Sequence, residues 1–147
     1  MDEAIYIVGI GACTPVGRTA WSSAAAVRAG ICGFTQHPYM IDTAGEPMRA
    51  AIAPWIDIGV TGADRFEALL FPAIEEALET LGDRSPDPGR WALALGLPSA
   101  RPGLSETLAS DLLARIREHY GRALQGVATF ENGHAAGLLG LRAATAK

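Results

Sequence analysis

Short runs of apolar, β-favouring residues alternate along this chain with stretches of helical periodicity, and that alternation most narrows what it can fold into. Residues 4 to 10 (AIYIVGI) form an uninterrupted apolar run, which predicts a strand buried on both faces of a parallel sheet. Residues 11 to 17 follow as a turn containing Pro15. Thr19 is placed to cap a helix reaching Ala29, with Gly30 just past its end. Residues 31 to 60 carry little periodicity and predict a long loop, with a short strand near Met48 to Ile52. Phe66, Leu69, Leu70, Ala73, Ile74, Ala77, Leu78 and Leu81 share one helical face, which predicts a helix over 63 to 81. Thr61 and Asp64 are spaced as a capping box, Gly82 is a stop, and Pro72 is expected to kink the helix. WALALGL (91 to 97) is a second strand, ended by Pro98. An amphipathic helix spans 105 to 120, with Leu108, Leu112, Leu113, Ile116 and Tyr120 on one stripe. A brief strand at Gly126 to Thr129 feeds a small-residue helix starting near Gly133. Strands alternating with helices predict an α/β sheet with helices on its faces.

The 147 residues are one domain's worth, 49% hydrophobic and only 19% charged, so the chain is expected to be globular. A net charge of −4, with twelve basic residues scattered along the chain, excludes nucleic acid and anionic membranes as main partners. No apolar stretch has the length to cross a bilayer, and the acidic start is unlike a secretory signal. The expectation is a cytoplasmic protein. Cys13 and Cys32 are too few for a disulfide framework or a zinc site, and are expected to be reduced, largely buried thiols.

GIGACTPVG sits between a strand and a helix, as a dinucleotide-binding turn does. That fingerprint needs a third glycine where this chain has Thr14, and Pro15 interrupts it. A phosphate loop ending at Gly17-Arg18-Thr19 would need a glycine at Ala12 and a lysine, and has neither. Glu75, Glu76 and Glu79 are expected to form a solvated helix face. No His or Asp close in sequence completes a metal site there. His37 and His119 stand apart from any cysteine or carboxylate cluster, and His119 suits the C-terminus of its helix. Cys13, in a turn with no histidine near it in sequence, is expected to be an inert, small buried hydrophobe.

The same residues resemble another family. VGIGACTPVG is similar to the opening of β-ketoacyl-ACP synthases, whose first strand ends in a Gly-x-Gly-x-x-(Ser/Thr)-Pro-(Leu/Val)-Gly turn. AWSSAAAVRAGICGF resembles their first helix, and GADRFEALLFPAIEEALETLG and WALALGLPSARPG resemble the next helix and strand. VATFENGHAAGLLGLRAA resembles the segment in which a strand runs into Cys-x-x-Gly-(Ala/His)-Ala and opens a buried helix. Gly133, His134 and Ala135 match the end of that pattern. Thiolases share the architecture, and CTPVGRT is similar to their opening too.

The resemblance covers nearly the whole chain. It implies the N-terminal half of a thiolase-like fold over residues 1 to 147, a mixed, mainly parallel sheet with helices on both faces. In that family a cysteine at a helix N-terminus takes the acyl group, and two histidines, or a His and an Asn, stabilise the oxyanion of a decarboxylative condensation. Here the cysteine's position holds Phe130, and the histidines' positions lie beyond Lys147. No catalytic residue, cofactor or metal is therefore implied for this stretch. Glu131 and Asn132 supply no nucleophile, and His134 is expected to pack the helix. Gly133, Gly137 and Gly140 are expected to let that helix lie enclosed between sheets, covered by further polypeptide or by a partner. Three functions stay open. They are a synthase-like protein of acyl condensation that is inactive as it stands, a non-catalytic subunit pairing with an active synthase, and an unrelated small-molecule-binding α/β domain. The first two imply a homo-oligomer or a partner synthase subunit, with acyl carrier protein as a further partner. The third implies a compact monomer.

Overall fold

A computed structural model describes residues 4–82 and 91–146 of the chain. It is a mixed α/β structure with two small sheets, and its described residues fall into two compact units. One holds residues 8–61 and 68–82, the other residues 4–7, 62–67 and 91–146.

In the first unit, helix α1 (Ala20–Arg28) starts where the sequence predicts. Thr19 is extended, its hydroxyl accepts from the Ser22 amide at 3.1 Å, and Ser22 Oγ accepts from the Thr19 amide at 3.0 Å. This reciprocal box satisfies two donors that a helix start otherwise leaves orphaned. Gly30, at φ 72°, turns the chain out of the helix. The turn before α1 closes on itself through paired Thr14 and Gly17 backbone bonds, and Ser23 Oγ reaches Thr14 Oγ1 at 2.8 Å and the Gly17 carbonyl at 3.2 Å.

Residues 31–60, predicted as a loop with one short strand, instead contain an antiparallel hairpin. Strand β1 (Phe34–Ile41) pairs with β2 (Pro47–Ala51), Phe34 opposite Ala51 and Gln36 opposite Arg49. The strand expected at 48 to 52 is β2; β1 was hidden by Pro38. That proline lies between Gln36 and Ile41, where the register shifts, and an interrupted ladder is where a residue without an N–H is tolerated. Asp42 Oδ1 accepts from the amides of Ala44 and Glu46 at 2.8 and 3.0 Å, and Gly45 takes φ 85°. The side chain thus shapes the turn that sets the hairpin's register.

Residues 4–10 depart most from expectation. They form no strand, and Ile5, Tyr6, Ile7, Val8 and Ile10 are all exposed, Ile7 at 85%. A β-rich run becomes a strand only beside a partner, because its propensity reflects packing against neighbours. Among the described residues the ladders join β1 to β2 and β3 to β4 alone. Two glycines instead bring the chain close to a helix backbone. A Cβ on Gly9 would lie 2.5 Å from the Ala77 carbonyl oxygen, and one on Gly11 would collide with that of Ala73.

Helix α2 (Gly62–Glu79) contributes its first six residues to one unit and the rest to the other. Its apolar stripe from Phe66 to Leu78 is half-buried. Thr61 is the N-cap, but its side chain makes no capping bond, so the predicted box with Asp64 does not form. Asp64 faces Arg115 instead, at 2.6 Å, and Glu67 meets the same guanidinium at 2.5 Å. The Glu67 hydrogen bond, followed by that of Asp64, holds the guanidinium still more firmly in its charged form.

In the second unit, strand β3 (Trp91–Gly96) runs parallel to β4 (Leu124–Phe130), Leu93 opposite Val127 and Gly96 opposite Phe130. Parallel neighbours need a crossover, and helix α3 (Leu108–Tyr120) lies in it and packs on β4. The predicted stripe is the core: Leu112 and Ile116 are fully buried and Leu108 is 4% exposed. A single 3-10 turn (Gly133–Ala135) leads into α4 (Ala136–Thr145), which lies on β3 and β4. The small-residue helix therefore begins a turn later than predicted.

Among the described residues α4 is covered on one side. Ala136 and Gly140 are buried against the strands, whereas Leu138 and Leu141 are 72% and 61% exposed and a Cβ on Gly137 would point into open space. The two strands beneath α4 cover one face only. Among the described residues no helix is long and apolar enough to cross a membrane.

Candidate functional site

The parallel pair ends in a connected set of turns. Leu97 N–H donates to the Phe130 carbonyl at 2.8 Å, and Gly133 N–H donates to the Leu97 carbonyl at 3.1 Å. These bonds carry the ladder past the strand ends, so residues 97–99 and 130–133 are held side by side. Gly133 takes φ 57°, a conformation that favours glycine, and a Cβ there would approach Ser99 Oγ to 3.3 Å. The glycine of the Gly133-His134-Ala135 motif is thus required by backbone geometry.

Phe130 ends β4, half-buried. Its ring edge lies 3.6 Å from where a Cβ on Gly140 would stand, so the phenyl group packs under α4. Gly96 opposite it lets α4 start close by, since a Cβ there would be 3.0 Å from the Gly137 nitrogen. Residue 130 precedes the first residue of α4 by six positions, away from the amides and dipole that would stabilise a thiolate. His134, expected to pack, is exposed on the 3-10 turn, and Glu131 and Asn132 are exposed too. A single turn that rises clear of the strands leaves the histidine in solvent.

Beyond the strand ends lies a crevice of about 590 Å³, lined by Leu97, Pro98, Arg101, Ser105, Glu106, Leu108 and Glu131 among others. Ligands of parallel α/β sheets gather outside the carboxyl ends of the strands, and the volume suits a small molecule. Ser105 Oγ is 2.9 Å from Thr107 Oγ1, which donates to Asp111 Oδ2 at 2.8 Å. This relay settles the start of α3 and leaves Ser105 without a base. The sequence signal for it is Ser105-x-Thr107 with an acid four residues on, a spacing that side-chain capping uses.

Other candidates are dispersed. Cys13 is half-buried, but Cys32 is exposed, against the expectation of two largely buried thiols: it follows the Gly30 turn, where the chain leaves α1. His37 Nδ1 accepts from the amides of Tyr39 and Met40, and His119 stacks edge-on against Tyr120. Among the described residues no three His, Cys, Asp or Glu side chains come together to hold a metal ion.

The acidic face of α2 is corrected at one position. Glu75 and Glu79 are exposed, but Glu76 is half-buried. One of its oxygens accepts from the Ala12 amide at 2.9 Å, and both accept from the Ala20 amide at 2.9 Å. Ala20 opens α1, so the chain's own carboxylate occupies the anion position of that helix start. Its partners stand 64 and 56 residues away, which is why periodicity alone assigns it to solvent.

Compared with protein-family profiles, curated proteins and solved structures, the chain matches none.

Proposed function

We propose that the chain is a β-ketoacyl-synthase-like protein of fatty-acid or polyketide-type acyl condensation, built as the N-terminal half of a thiolase-like fold and unable to condense by itself. The observation that carries this reading is Phe130: it ends a parallel strand, precedes the Gly133 turn and α4, and packs under Gly140. Motif order and residue chemistry support the rest. A phenyl ring cannot take an acyl group, and among the described residues no hydrogen bond joins Ser99 or Ser105 to a histidine that could activate it. A cytoplasmic location belongs to the same proposal. Incubation with a radiolabelled acyl-carrier thioester is expected to leave the protein unlabelled; a covalent acyl-protein overturns the inactive assignment.

A second reading, a non-catalytic subunit pairing with an active synthase or with another copy, is favoured by the exposed apolar side chains of residues 5–10 and of α4. It predicts a dimer or larger species in sedimentation, and a compact monomer counts against it.

A further inference from the structure

We infer that the crevice beyond β3 and β4 binds a small zwitterion of the amino-acid type with a short apolar side chain. Leu97 and Leu108, each 4% exposed, and half-buried Leu104 give it an apolar floor. Three charged groups stand around that floor: Arg101, Glu106 and Glu131, all exposed. Among the described residues none of the three makes a side-chain hydrogen bond or an ion pair, although charges of both signs line one crevice. The volume of about 590 Å³ lies in the range of small-molecule sites.

The charge set selects the ligand. A phosphate or a simple carboxylate gains Arg101 but meets two carboxylates. A simple amine gains the carboxylates and leaves the guanidinium unused. A ligand carrying an ammonium and a carboxylate on one carbon satisfies both signs, with its side chain over the leucines. Open rims screen such contacts, so the affinity is modest, with Kd on the order of 1 mM. This inference goes beyond the acyl-condensation reading and does not need it.

The test titrates the full chain with leucine, with 3-methylbutylamine, which lacks the carboxylate, and with 4-methylpentanoate, which lacks the ammonium. Leucine is expected to bind saturably, and each truncated analogue at least about five-fold more weakly, roughly 1 kcal/mol. Arg101→Gln is expected to weaken leucine and leave the amine unchanged; Glu131→Gln and Glu106→Gln weaken both. Glu118→Gln, on the exposed side of α3, changes neither. No saturable binding of leucine, equal binding of leucine and 4-methylpentanoate, or an Arg101→Gln variant that still binds leucine normally overturns the proposal. The thioester labelling above is indifferent to all these results, so the two proposals fail separately.

Discussion

The two sheets of this protein use similar residues and reach opposite degrees of burial. The hairpin β1–β2 carries Phe34, Tyr39, Met40, Ile41 and Met48, yet all of them are exposed. The parallel pair β3–β4 is no longer, but α3 and α4 lie on it, and Leu95 and Leu97 are buried along with Leu112 and Ile116. A hairpin closes locally through its turn, so it can form without a hydrophobic face to rest on, although two strands alone are marginal. A parallel pair exists only with its crossover, and that requirement brings its own cover. The layer of helix follows from connectivity more than from the apolarity of the strands.

The largest effect that could break this comparison is Ile116→Ala, expected to destabilise the chain by about 2–5 kcal/mol in denaturant unfolding. Ile41→Ala should stay within about 0.5 kcal/mol, since its side chain is already exposed. Equal losses would mean that the hairpin is covered after all. Glycines sharpen the contrast. Gly11→Ala forces a methyl group into the Ala73 carbonyl and should cost about 1–3 kcal/mol, whereas Gly137→Ala, inside α4 with open space around it, should add about 0.5–1 kcal/mol. A smaller and chemical test concerns the strand end. Phe130→Cys should react with iodoacetamide more slowly than Cys32, because residue 130 is half-buried and lies off the start of α4. Faster labelling would mean that the site activates a thiol.

Where a signal is local and its partner is near, the sequence predicts the structure closely. Thr19 and Gly30 frame α1, the Leu108–Ile116 stripe becomes the core, and WALALG becomes β3. Prediction fails where tertiary partners decide. AIYIVGI is rich in β-favouring residues but has no neighbouring strand among the described residues. The Thr61 box is forgone while Asp64 serves Arg115. Pro38 argues against a strand that a register shift makes tolerable. At the candidate site the sequence predicts a helix near Gly133, but the left-handed turn there and the crevice depend on which residues follow two strand ends in space.

Glu76 bears on the order in which the chain folds. Its bonds to Ala12 and Ala20 close loops of 64 and 56 residues for a few contacts, so their entropy must be met before they contribute. The hairpin, α1 and the Thr14–Gly17 turn can form from nearby residues, whereas the amides of Ala12 and Ala20 gain their carboxylate only once α2 stands beside them. Glu76→Ala is therefore expected to cost about 1–2 kcal/mol, appearing mainly as faster unfolding with the refolding rate little changed in a stopped-flow chevron. A loss concentrated in the refolding limb would place this clamp early, and make the acidic side chain on α2 part of the folding nucleus.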